Sequence, residues 1–427
     1  HGGDLEIKNA AGIDIDIHGD KNAKSGIYVW GQGRNGASLT ISNDNQAEHA
    51  VKIRNTAAEK DAAILVDGRS VKDGGSAKLV IKGLVDVEND DVSVIQANKG
   101  DVSIGGGKII AKGDKASSLK INNDGKIQIN GNLSDRNVLT AGAVKHDVQI
   151  EGNVLAQKGR LGLVLNTDGS YIKGLIGTDA GTAGQTYMML SDGASWYHEG
   201  KGARTDSIKE SKIKNLEADG GNIYQKNEKP ITIENYKGNM KLFYKHENAG
   251  TKAEDYKSGD VHIGSAAEGS RITVVTDNSG ITMTDEAQVY EVLNALAGKL
   301  YYDAYKTGEE KLTGQATIAE GLTSSSQTVK MKDMLFKKEN GQGYVEGKPT
   351  PPPLVNPVRH QIVEANYFAE EARDFWSKAG VYDGKGHYKF DHDLSLVTHA
   401  EDDPVTTVND NKFGNIYWNG DVVGDID

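Results

Sequence analysis

The 427-residue chain has no cysteine, only 7 prolines, and aromatic residues at just 6%. Without cysteine there is no disulfide, no thiolate metal ligand and no thiol nucleophile. That absence assigns no compartment by itself, although a large exported protein crosses an oxidising periplasm most simply without thiols. So few aromatics argue against two well-filled globular cores. No stretch approaches the ~20 apolar residues of a membrane-spanning helix. Acidic side chains outnumber basic ones by 61 to 49, giving a net charge of −12. Such a surface repels phosphate, which disfavours nucleic acid as a partner. The chain opens at His1 with neither an initiator Met nor a signal peptide, so a processed or excised fragment is expected.

Glycine is abundant instead: 52 residues, about one in eight, against a usual ~7%. Short runs alternate apolar and polar residues, as in Ile13-Asp14-Ile15-Asp16-Ile17, Ile27-Tyr28-Val29-Trp30, Val51-Lys52-Ile53, Leu79-Val80-Ile81, Val85-Asp86-Val87 and Val148-Gln149-Ile150. A period of two means strands with one buried face. Nearly every run ends in Gly, Asn or Asp, which tolerate the backbone angles of turns. Early runs begin about 12 residues apart, too evenly for a Greek-key sandwich and too closely for βαβ units. Two or three strands per turn give coils of roughly 20–30 residues, and stacking about 12 of them makes a rod of roughly 55–60 Å. The expected fold is all-β: a right-handed parallel β-helix, or solenoid, over residues 1–283, its hand following the preference of β–β connections. A β-sandwich array is the runner-up, and a propeller lacks its per-blade aromatic signature.

After Gly280 the pattern changes. Thr284-Asp285-Glu286 reads as a helix start, and Val289, Val292, Leu293, Leu296 and Leu300 follow at helical spacing, predicting a short helix near 285–300. Tyr301-Tyr302-Asp303-Ala304-Tyr305 returns to strand character, with strands continuing to about Val345, so that 284–347 caps or extends the β-helix. Five of the prolines fall between Pro349 and Pro357, marking 348–357 as a stiff extended linker. Beyond it, Val358, Ile362, Ala365, Ala369, Ala372 and Trp376 share one helical face, and 358–427 is read as a helix followed by an acidic, loop-rich segment.

Chemistry-bearing residues are few. A polysaccharide lyase or glycoside hydrolase would need carboxylates converging on a groove, and Asp14 with Asp16, or Asp86 with Glu88, are the nearest approach. In each pair the intervening aliphatics face inward, which makes the acids outward residues of solvated strands. Calcium could use Asn89-Asp90-Asp91 or Glu401-Asp402-Asp403, but neither a Gly-Gly-x-Gly-x-Asp repeat nor a twelve-residue calcium loop is present. Turn chemistry accounts for the first cluster and a solvated acidic loop for the second. His387, His392 and His399 with Asp391 and Asp393 form the one His/Asp-dense stretch, without a His-Glu-x-x-His helix for zinc. Gly105-Gly106-Gly107 and Gly33-Arg34-Asn35-Gly36 precede no helix and supply no Walker lysine, so they read as tight corners. Trp30, Trp196, Tyr187 and Tyr197 could stack on sugars if exposed, while Trp196 fits better as a plug in the interior or at a coil junction. No catalytic, cofactor-binding or metal-binding residue is designated, and no cofactor beyond a possible calcium ion.

Between residues 185 and 347 the sequence resembles passenger regions of monomeric autotransporters of diderm bacteria. The likeness runs from Tyr187-Met188-Met189-Leu190-Ser191-Asp192-Gly193-Ala194-Ser195-Trp196 through Ser211-Lys212-Ile213-Lys214-Asn215-Leu216 and Gly220-Gly221-Asn222-Ile223 to Ile231-Thr232-Ile233-Glu234-Asn235-Tyr236-Lys237-Gly238. Thr276-Asp277-Asn278-Ser279-Gly280-Ile281, Val292-Leu293-Asn294-Ala295-Leu296-Ala297-Gly298-Lys299-Leu300 and Ile318-Ala319-Glu320-Gly321-Leu322-Thr323-Ser324-Ser325-Ser326 look like an adhesin-like subset. The resemblance implies export through an outer-membrane barrel, display at the bacterial surface and adhesion or biofilm formation. The expected partners are a host or bacterial surface glycan or protein, or further copies of the chain. The translocating barrel itself has no counterpart in this sequence, and 358–427 matches no part of the family. The alternatives are the polysaccharide-active enzyme above and a structural stalk presenting another domain.

Overall fold

The computed structural model divides into two units, His1–Gly347 and Lys348–Asp427. It describes residues 3–347, apart from 9–11, 19–24, 35, 43–48, 57–60, 73–75, 179–183, 246–255, 278–282, 284–285, 320–321 and 324–328. In the second unit it describes the antiparallel strand pair Val381–Tyr382 and Tyr388–Lys389. The predicted linker 348–357 and helix after Val358 lie outside the described residues.

The first unit is all-β, as the alternating runs predict, with one α-helix among its described residues, Glu286–Ala297. Its strands are mostly parallel and stack in three ladders around one apolar core. In the first, Ile7, Ile41, Ile81, Ile104, Ile129 and Leu163 occupy successive register positions, followed by Met188, Leu216, Tyr236 and Ala266. In the second, Ile15, Ile53, Val87, Ile109, Ile150 and Ile172 lead into Trp196, Ile223, Leu242, Val274 and Ala316. The third runs Ile27, Ile64, Ile95, Leu119, Val154, Ile176. Each column places like side chains about 4.8 Å apart and satisfies the backbone of interior strands on both sides.

Successive partners in the second ladder are unevenly spaced in sequence, from 19 residues (Tyr224 to Phe243) to 42 (Val275 to Thr317). Part of that range falls outside the expected roughly 20–30 residues per turn: loop lengths vary while strand register holds. One insertion forms the antiparallel hairpin Gly131–Leu133 with Leu139–Ala141. Two predicted runs also merge, because Leu79-Val80-Ile81 and Val85-Asp86-Val87 belong to one 13-residue strand, Ala77–Asn89, which shifts register between Ile81 and Leu84.

In the helix Glu286–Ala297, Val289, Val292, Leu293 and Leu296 are buried, as their spacing predicts. Leu300 is not helical: Gly298 follows the last turn, and Leu300–Tyr302 forms a strand beside Val261–Ile263. Strand character stops there, since Asp303–Thr307 is a 3-10 turn closed by Gly308 at φ 87°. Beyond it the pairing turns antiparallel, Leu312–Thr317 against Met331–Phe336 and that strand against Gly343–Tyr344.

Candidate functional site

The acidic pairs singled out in the sequence fall on the outer face of the second ladder. Asp14 registers with Lys52, then Asp86 and Lys108; Asp16 registers with Arg54 and then Glu88. Each carboxylate thus meets a cation across the ladder, and Lys112 lies 3.3 Å from Glu88. Opposite charges in register stabilise a sheet face, and no two of these acids converge. Asn89 is buried: its side-chain amide donates to the Ser93 carbonyl at 2.9 Å, and its Oδ1 accepts from the Asp91 N–H at 3.3 Å. That is a turn locked by an Asn side chain. Gly107, at φ 106°, and Gly36, at φ 60°, sit where a Cβ would strike the carbonyl oxygens of Val85 and Ser76, so each stands where two backbones approach closely. No group of three or more His, Cys, Asp or Glu able to hold a metal ion occurs among the described residues. His387, Asp391, His392, Asp393, His399 and Glu401-Asp402-Asp403 lie outside them.

Further along the same outer column, charge gives way to aromatic rings. Glu151 accepts from Lys201 and, at 3.0 Å, from the Tyr171 hydroxyl. Burial pushes the Glu151 carboxyl up, but those hydrogen bonds outweigh it and hold the group below its ordinary value. Tyr171 is pushed up to about 12 by burial and by the Glu151 acceptor. Tyr197, Tyr224 and Phe243 then stack face to face, with centroids 4.8 and 4.5 Å apart. Tyr224 is thus covered on both faces and Tyr197 on one, with the Lys173 and Lys226 ammonium groups 5.8 and 5.4 Å from the Tyr197 ring centroid. Tyr187 is 3% exposed and Trp196 fully buried, its indole N–H donating to the Gly174 carbonyl at 2.9 Å. Trp30 alone of the four aromatic candidates is substantially open, at 45%.

A buried polar relay sits at the inner corner beside Trp196. Gln225 donates its amide to the carbonyls of Lys229 and Gly259, both at 3.0 Å, which leaves Oε1 to face His198 Nδ1 at 2.5 Å. Nδ1 therefore carries the proton. Ser211 Oγ accepts from the Ile176 N–H at 2.9 Å and donates to His198 Nε2 at 2.8 Å. The imidazole is neutral, and burial pushes its pKa down to about 4.

A polar groove of about 560 Å3 lies where the first and second ladders meet, lined by Asn222, Asn239, Met240, Lys241, Arg271, Thr273 and the glycines 193, 220 and 269. Gly220 and Gly269, at φ 77° and 76°, face open space where any side chain would narrow the groove. Asn239 is held by accepting from the Gly220 N–H at 3.0 Å and donating to Asp219 at 3.1 Å. Asn222, half-buried, donates to the Gly193 carbonyl at 3.1 Å. The backbone of Arg271 is held from below, since the buried Tyr236 hydroxyl donates to its carbonyl at 2.8 Å. Sequence reading missed every one of these side chains. Asn222, Lys241 and Thr273 are register neighbours, as are Asn239 and Arg271, yet they are spread over some fifty residues of chain, and no local motif carries them.

No family model, curated protein or solved structure matches this chain.

Proposed function

We propose that residues 1–283 wind as a right-handed parallel β-helix, that 284–347 cap or extend it, and that the chain is a surface-displayed passenger of the autotransporter type acting as an adhesin through its lateral face. The winding is supported by the ladders themselves, each advancing along the chain one register step at a time with aliphatic columns inside. The binding role is supported chiefly by the groove at 193–273, where Arg271 and Lys241 form no ion pair among the described residues, whereas ion pairs and stacked rings occupy much of the outer column of the second ladder. A long stacked face also lets many weak contacts add. The partner is a surface glycan or protein, or another copy of the chain, reached outside the cell after passage through an outer-membrane barrel.

The test is attachment of the purified full chain to bacterial cells, host cells, immobilised matrix glycans and itself, with and without calcium. Saturable binding in one of these arrangements is expected. Absence of binding in all of them overturns the adhesin reading.

A further inference from the structure

We propose that the groove between the first and second ladders binds an acidic sugar residue of a glycan, its oxyanion held by Arg271 and Lys241. This rests on the reading of the lateral face as a binding surface and names what that surface recognises. Arg271 and Lys241 both project outward from neighbouring strands, and among the described residues neither forms an ion pair. Asn239 is the register partner of Arg271, and Lys241 that of Thr273, so the two cations stand two residues out of step, about 8 Å apart at Cα by strand geometry. Two uncompensated cations side by side on a chain of net charge −12 make a local field opposite to the overall one.

The rest of the lining fits a sugar better than a peptide. Asn222 Oδ1 and the Thr273 hydroxyl, without a hydrogen-bond partner among the described residues, supply an acceptor and a donor suited to ring hydroxyls, whereas the apolar lining residue Met240 is only 2% exposed. Arg271 also borders a second groove of about 480 Å3 that contains Glu310 and Asp333, and pairs with neither. Asp333 is already engaged by Gln315 at 3.0 Å. Those acids, with Asp219 beside Asn239, set a limit on the ligand: a long uniform polyanion is repelled, while a single acidic residue among neutral sugars is accommodated. A carboxylate or a sulfate ester offers the same oxyanion to a guanidinium.

The experiment is calorimetric titration of the full chain with three sets of oligosaccharides of equal length, one containing a uronic acid, one containing a sulfated sugar and one neutral. The wild type, Arg271→Gln, Lys241→Gln, the double variant, and Lys237→Gln are compared, each checked by thermal unfolding. Lys237 is exposed on the same face but paired with Glu217 at 2.9 Å, so its variant controls for general charge. The expected result is binding of at least one acidic set, weakened tenfold or more by each groove substitution and by added salt, with Lys237→Gln unchanged. The tighter of the two acidic sets identifies the oxyanion. Equal binding of neutral and acidic sugars, no loss in the folded double variant, or no acidic sugar bound at all overturns the proposal. In that last case, persistent attachment to cells leaves the adhesin reading standing. Binding of an acidic sugar with no attachment to any cell or matrix does the opposite: it upholds the groove as a sugar site and overturns the adhesin reading alone.

Discussion

Lowering the pH from about 7.5 to about 4.5 forces a choice on His198 that folding has already made. In the folded chain its Nε2 accepts from Ser211 and its Nδ1 donates to Gln225. A second proton would turn the acceptor into a donor facing a hydroxyl, and would place a charge in a fully buried corner whose nearby cation, Lys229, adds repulsion. The unfolded histidine titrates near 6.5 and the folded one near 4. The folded value is depressed, so the unfolded state binds the extra proton first. Stability is therefore complete above about pH 6.5, falls as pH drops toward 4, and levels below it. A gap of about 2.5 units corresponds to about 3 kcal/mol, a large share of a typical folding free energy.

Urea unfolding followed by circular dichroism, on the wild type and on His198→Gln, isolates this contribution. Glutamine keeps a donor and an acceptor but does not titrate. The variant should lose roughly 1–3 kcal/mol at neutral pH from imperfect geometry, and then lose roughly 2–3 kcal/mol less than the wild type on acidification. Asp67 and Glu151, whose carboxyls are held low, titrate in both proteins and cancel from the difference. Identical pH slopes for the two proteins would refute the buried neutral relay.

Three further outcomes follow from the packing. Trp196→Ala empties a fully buried site and strands the Gly174 carbonyl, so urea unfolding should show a loss of about 3–5 kcal/mol. Gly238→Ala drives a methyl into the Ala218 carbonyl oxygen at a backbone φ of 100°; the melting temperature should fall by several degrees, corresponding to about 2 kcal/mol or more. Lys52→Glu puts like charges in register with Asp14 and Asp86, which should cost under about 1 kcal/mol in low salt and less in high salt.

Alternation and turn residues made the strand content legible, because a one-residue slip would have exposed every isoleucine in a run such as Ile13-Asp14-Ile15-Asp16-Ile17. The same alternation placed Asp14 and Asp16 outside, where they are. It did not show that Lys52 and Arg54 lie opposite them, since register depends on loops whose lengths differ by more than twofold. The helix was legible from Val289 to Leu296, but Leu300 misled: an apolar residue at the right interval after Gly298 serves equally well to open a strand. Tyr302 likewise begins no longer strand, because Gly308 at positive φ closes a 3-10 turn just beyond.

The groove follows from the same physics that hides it. Along the outer column of the second ladder, Asp16, Arg54 and Glu88 alternate in sign, Glu151 binds Lys201, and Tyr197, Tyr224 and Phe243 cover each other. Ladder stacking rewards such pairing, since every outward side chain has a neighbour about 4.8 Å above and below. An exterior built this way has little left with which to hold a partner. Where Gly220 and Gly269 interrupt the neighbouring column, side chains that would have closed over the polar groups are missing. Among the described residues, Arg271 and Lys241 are left without an ion-pair partner. Cations without an ion pair among the described residues bring an acidic chain little stability, and that imbalance is what the proposed acidic-sugar site rests on.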